Sequence, residues 1–144
     1  MLNRYFDQLD TGEKWFSGGR TITESDIVMF AALSGDWYPL HTNKEWASAT
    51  AFKQRIAHGM LLLSVATGLM EFKPGIVIAF YGMDKVRFVS PVFIGDTISL
   101  EMEVIDKNDK DGKGGVVTVK VTIFNQRNET AVSAAFKFLL AKSC

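Results

Sequence analysis

The chain has 144 residues, long enough for one domain with a substantial core, and 47% of them are hydrophobic, an ordinary share for a globular protein. Sixteen basic and sixteen acidic side chains cancel. No global field therefore steers nucleic acid or an anionic membrane, and neither is expected as a partner.

In chain order, the opening MLNRYFDQLDTGEKW lacks the basic start and apolar core of a secretory signal. WFSGGRTIT, residues 15–23, places glycines before alternating β-branched residues and predicts a short first strand or edge segment. Thr23 is a good helix N-cap, with Glu24 and Asp26 in the first turn. Ile27, Phe30, Ala31 and Ser34 follow at amphipathic spacing until Gly35 closes the helix. Pro39 pushes the residue before it toward extended geometry, so the helix cannot continue. A second short helix is expected over 44–49. Residues 58–70 are apolar nearly all round, which predicts a helix buried on most sides. The interruptions at Ser64, Thr67 and Gly68 leave that run well short of the roughly 20 residues a membrane span needs.

The second half reads as β. Strands are expected over 76–80, with weaker alternation to 89, and over 97–105, 116–125 and 130–141. Turns fall at Pro91, Gly95–Asp96 and 126–129, and the charged, glycine-rich 107–115 reads as a hairpin tip. One buried helix followed by four sequential strands has one place to go, the concave face of an antiparallel sheet. The expected class is α+β, a hot-dog fold in which the sheet wraps a central helix, with residues 1–144 as a single domain. The single cysteine, Cys144, has no partner in the chain, so a reducing, cytoplasmic setting is expected. There is no CxxC and no His/Cys cluster, and no metal is expected.

The chemistry concentrates in FAALSGDWYPLHTNKEWASATAFKQRIAHGM, residues 30–60, which holds both histidines. Asp36 and His41 flank Pro39, whose stiffness fixes their separation. Such a carboxylate and imidazole can hold a water and share a proton. Spacing alone is equally met by an Asp36 that caps the next helix and a His41 bonded to a loop carbonyl. Gly59 opens the buried helix, where unpaired backbone N–H groups and the positive dipole end suit a carbonyl oxygen becoming an enolate. A glycine there also simply relieves crowding. His58 is expected to make a structural hydrogen bond, not a proton transfer. Ser34 lacks the G-x-S-x-G elbow of a nucleophile. Trp37, Tyr38 and Trp46 either line a pocket near the pair or fill core, and the scattered Lys44, Lys53, Arg55, Lys85 and Arg87 read as a solvated face.

Together FAALSGDWYPLH, Ala47, the TAF at 50–52, RIAHGML at 55–61 and VRFVSPVFIGDTI at 86–98 resemble the MaoC-like, R-specific enoyl-CoA hydratases. The resemblance implies a hot-dog homodimer that reversibly adds water, in syn fashion, across a trans-2-enoyl thioester to give a 3-hydroxyacyl thioester, with no cofactor. CoA or an acyl carrier protein would carry the acyl group. It implies Asp36 and His41 as the catalytic pair and Gly59 as the N–H donor to the thioester oxygen. Tyr38 stands where the family motif usually has asparagine, a ring and a distant hydroxyl in place of a short amide. That swap makes Tyr38, with Trp37, a residue expected to shape substrate binding, and Thr67 on the central helix is expected to face the acyl group. Two alternatives remain. A hot-dog thioesterase needs a carboxylate on or near the central helix, and residues 59–70 carry none. A non-catalytic acyl-thioester-binding protein has no use for the acid–base pair.

Overall fold

The computed structural model describes residues 2–112 and 114–144. After a 3₁₀ turn at Phe6–Gln8 come β1 (Lys14–Phe16), β2 (Arg20–Thr21), α1 (Glu24–Ser34), α2 (Pro39–Thr42), α3 (Lys44–Ser48) and α4 (Gly59–Leu69). Four longer strands follow: β3 (Val77–Phe88), β4 (Thr97–Lys110), β5 (Gly114–Phe124) and β6 (Thr130–Ala141). All pairings are antiparallel, in the order β1-β4-β5-β6-β3, with β2 also on β4.

Alternation decides which face of the sheet meets the helix. Leu100, Met102 and Val104 of β4 pair with Ile123, Val121 and Val119 of β5, and these in turn with Val132, Ala134 and Phe136 of β6, all buried. Leu61, Leu62, Leu63, Val65 and Ala66 of α4 join them in one core cluster. Each buried leucine or valine there contributes about 1.5–3 kcal/mol. The sheet therefore wraps α4 as expected. Leu2, Phe6 and Leu9, from a segment without readable period, close one end of this core, and the Phe6 ring occupies the space a side chain at Gly115 would need.

Several elements differ from the sequence reading. α1 starts and stops as expected: Thr23 accepts from the Asp26 N–H while the Asp26 carboxylate accepts from the Thr23 N–H, and Gly35 (φ +78°) ends it. Its outer face, however, carries exposed Val28, Met29 and Leu33, so it is apolar on two sides instead of amphipathic. Pro39 starts a helix as well as excluding one, since its fixed φ suits the first position of α2. α4 is open along a stripe of Met60, Ser64 and Gly68. β3 is one strand, kept continuous across 77–88 by three register shifts against β6. β4 runs on to Lys110, which pairs with Gly114, so most of the expected hairpin tip is strand. Asp111 and Gly112, both at positive φ, make the turn, and Lys113 lies outside the described residues.

The Gly95–Asp96 turn is built around a buried carboxylate. Asp96 accepts from the Phe93 N–H at 3.0 Å, from Gln126 at 2.8 Å and from Arg127 at 3.3 Å, tying the β3–β4 connection to the β5–β6 turn. Burial pushes its pKa up, but these donors together outweigh burial and hold it below the ordinary value. Among the described residues, no helix is long and apolar enough to cross a membrane.

Candidate active site

The carboxyl end of α1 sets the first member of the site. Ser34 Oγ donates to the Phe30 carbonyl at 2.7 Å and accepts from the Asp36 N–H at 3.1 Å, so the chain leaves the helix along a fixed path. Asp36 Oδ1 then accepts from the Tyr38 N–H at 3.2 Å, an Asx turn that leads into Pro39. Thr42 Oγ1 closes the turn from the other side, donating to the Trp37 carbonyl at 2.9 Å. His41 consequently points back from α2 toward the segment that precedes α4.

His41 Nδ1 lies 2.8 Å from the Ile56 carbonyl oxygen. A carbonyl only accepts, so Nδ1 is the donor, and in the neutral ring the lone pair is on Nε2. His58, the N-cap of α4, is almost fully buried, and its Nε2 lies 3.0 Å from the Asp36 carbonyl oxygen. The two imidazoles stack, centroids 3.9 Å apart and planes 26° apart, with Phe30 against the other ring of the pair, His58, at 4.9 Å. A carboxylate oxygen of Asp36 and a ring nitrogen from each histidine all fall within 4.8 Å of one another. These are metal-ligating residue types, and each ring has one nitrogen bonded to a carbonyl and one left over.

Gly59 is the first residue of α4, and its backbone N–H finds no acceptor among the described residues. A Cβ built on it would stand 2.5, 2.7 and 2.8 Å from three atoms of the Phe88 ring. The glycine therefore both relieves crowding and leaves the helix end open. His41 and Gly59 share the wall of a cavity of about 450 Å³, completed by Phe52, Ile56, Leu62, Phe88, Pro91 and Val92. An imidazole nitrogen and a free helix N–H thus stand in the wall of a mostly apolar pocket, and the Asp36 carboxylate, which does not line it, lies beside that imidazole, an arrangement suited to moving a proton beside a polarised carbonyl.

The other expected residues lie around this site in different ways. Tyr38 is 52% exposed and sets its ring edge-on to His41 at 6.2 Å and to Trp46 at 5.5 Å. Trp37 is also 52% exposed and does not line the cavity. Thr67 sits on a separate, smaller cavity of about 230 Å³ with Met60, Ser64, Phe80, Met83 and Phe136, and its hydroxyl donates to the Ser64 carbonyl at 2.7 Å. Sequence reasoning did not place Phe52, Phe88, Pro91 and Val92 in the pocket. The compact run at 86–98 was the available signal for the last three, since it brings the end of β3 beside Gly59.

Residues 11–126 match the model of the MaoC like domain family. Protein MaoC of Klebsiella aerogenes is 43% identical over 70% of this chain, which spans only 30% of that protein's length. The (R)-specific enoyl-CoA hydratase of Rhodospirillum rubrum is 40% identical, covering 72% of each chain. Among solved structures, a monoamine oxidase regulatory protein from Archaeoglobus fulgius superimposes with a TM-score of 0.92 at 45% identity, over 98% of this chain and 96% of that one. A Mycobacterium tuberculosis protein described as a double hotdog fold, 22% identical, superimposes with a TM-score of 0.86 over 99% of this chain and 45% of its own. That likeness shows the fold alone, and the fold is the hot-dog. The chain belongs to the MaoC-like domain family.

Proposed function

We propose that the protein is an R-specific enoyl-thioester hydratase, adding water reversibly and on one face to a trans-2-enoyl-CoA, or to the same acyl group on a carrier protein. The carrying observation is the convergence of Asp36, His41 and the free Gly59 N–H at one end of α4. The thioester oxygen accepts from the Gly59 N–H, where the helix dipole favours developing negative charge. A water held between Asp36 and His41 gives a proton to that pair, and its oxygen bonds to C3. The C2=C3 π electrons move through C1 onto the thioester oxygen. The enolate then collapses, C2 takes a proton from the pair, and the thioester carbonyl re-forms. The sum is one water added, with no electrons gained or lost. His41, with its lone pair on Nε2, and the exposed Asp36 both reach the water, and they act as one coupled acid–base unit.

The reading extends to assembly. β3 is an edge strand bearing exposed Ile78, Phe80, Tyr81 and Met83, beside the open Met60–Ser64–Gly68 stripe of α4. A bare apolar edge is an aggregation liability, and pairing β3 with β3 of a second copy removes it. We therefore read the working unit as a homodimer of one-domain chains in a reducing, cytoplasmic setting, which the lone Cys144 supports. Trp37 and Tyr38 border the entrance to the pair, and Thr67 contacts the acyl chain from the smaller cavity. The test is a panel of saturated, enoyl and 3-hydroxyacyl thioesters. Loss of enoyl absorbance with formation of the (R)-3-hydroxyacyl product supports the proposal, and release of free thiol would replace it with a thioesterase.

A further inference from the structure

We propose that His58 is a positioning residue that fastens the acid–base pair to the oxyanion end of the site. Three contacts carry this. Its Nε2–H holds the Asp36 carbonyl at 3.0 Å, its ring lies 3.9 Å beneath that of His41, and its own backbone is the N-cap immediately before Gly59. One side chain thus touches the segment of the carboxylate, the imidazole and the helix end together. The distance between water-activating pair and thioester oxygen is set through it. This role rests on the hydratase reading for its catalytic meaning, but the contact itself does not.

A space-filling role does not account for an imidazole here. Its Nδ1 is buried and finds no partner among the described residues. An unpaired buried acceptor destabilises a fold, and a phenyl ring would occupy the same place against Phe30 and His41 without that penalty. What the imidazole adds is the N–H to Asp36. Neutrality follows from the same surroundings. Burial is the largest influence and lowers the pKa of His58, His41 lowers it further, and only the contacts with Asp36 oppose them. Asp36 and His41 are the titratable groups that face it, while Phe30 of α1 brings no charge. A neutral ring beneath His41 lets His41 take a proton during turnover without a second cation stacked against it.

The test combines substitution with imidazole NMR. H58F keeps a ring under His41 and removes the N–H, whereas H58Q keeps an amide N–H near the position of Nε2. H58F is expected to fold with an unchanged or raised melting temperature. Its kcat for crotonyl-CoA hydration should fall about 10- to 100-fold, with KM changed less than about threefold, as displaced catalytic groups produce. H58Q should recover part of kcat. Equal kcat in H58F and wild type, or equal losses in H58F and H58Q, overturns the proposal. In ¹⁵N spectra of the wild-type chain, His58 should be the neutral Nε2–H tautomer with a slowly exchanging proton. The opposite tautomer, or rapid exchange, overturns the contact. Wild-type protein that hydrates no enoyl thioester while His58 shows the expected tautomer refutes the hydratase reading and leaves the positioning contact standing.

Discussion

Gly59→Ala separates the two reasons for a glycine at the head of α4. The new methyl would stand 2.5–2.8 Å from the Phe88 ring, closer than carbon atoms approach, so the ring must move. Phe88 is 56% exposed and can swing outward, which puts the cost at the low end of overpacking, about 1–3 kcal/mol. Alanine recovers up to about 1 kcal/mol of helix propensity over glycine. The net loss is then about 0–2 kcal/mol, a fall of up to about 8 °C in melting temperature for a chain of this size. In a Phe88→Ala background the crowding vanishes, and adding Gly59→Ala should be neutral or slightly stabilising. The propensity gain cancels in the cycle, which should therefore show a coupling equal to the crowding cost, about 1–3 kcal/mol. Activity follows a different course. In either background the methyl blocks close approach of the thioester oxygen to the helix N–H, and kcat should fall about 10²–10³-fold, as when an oxyanion donor is lost. Thermal melts and crotonyl-CoA hydration on the four proteins decide it. Equal destabilisation with and without Phe88 would refute the crowding account, and a fully active double variant would refute the oxyanion role.

Tyr38→Asn returns the short amide that the family motif usually carries beside the pair. It should raise kcat/KM toward small enoyl-CoA substrates by about tenfold, consistent with a hydrogen bond to a charged or reacting group, and a drop would show that the tyrosine ring is itself needed. Ile78→Lys puts a charge on the exposed β3 edge and should convert a dimer to a folded monomer by light scattering; an unchanged mass would place the interface elsewhere. The pH dependence of stability follows from His58, whose pKa in the folded chain lies below its unfolded value of about 6.5. Between those values the unfolded chain binds the extra proton, so the stability present above about pH 6.5 is lost progressively as pH falls. H58F should flatten the melting-temperature curve over about pH 7.5–5.5 relative to wild type, and parallel curves would contradict a buried neutral His58.

Much of this was legible because local signals agreed. Thr23 and Gly35 bound α1 as capping chemistry requires, and the alternation of residues 97–105 gave the buried face of β4 directly. The apolar run after Gly59 marked α4, but the sequence pattern could not show that Met60, Ser64 and Gly68 stay uncovered. That depends on β3 lying at the sheet edge, a matter of strand order. The site divided along the same line. Asp36, His41 and Gly59 were singled out by the resemblance of residues 30–60 to a family motif, since spacing alone was also met by a capping aspartate and a structural histidine. Phe88 and Pro91 reach the pocket from the run at 86–98, which marked a strand and turn without showing that the fold would set them beside Gly59. His58 was expected to make a structural hydrogen bond, and it does, to Asp36; its stacking on His41 required the fold. The Asp96 network likewise joins two turns separated in sequence, of which only the turns themselves were visible.

On the proposed chemistry, Asp36 and His41, with Gly59, add water to an enoyl thioester. The most direct measurement is mass spectrometry of a trans-2-enoyl-CoA incubated with wild type, Asp36→Asn and His41→Ala. Wild type should convert the substrate to a product heavier by one water, and each variant should do so at least about 10²-fold more slowly. Undiminished conversion by both variants would contradict the account.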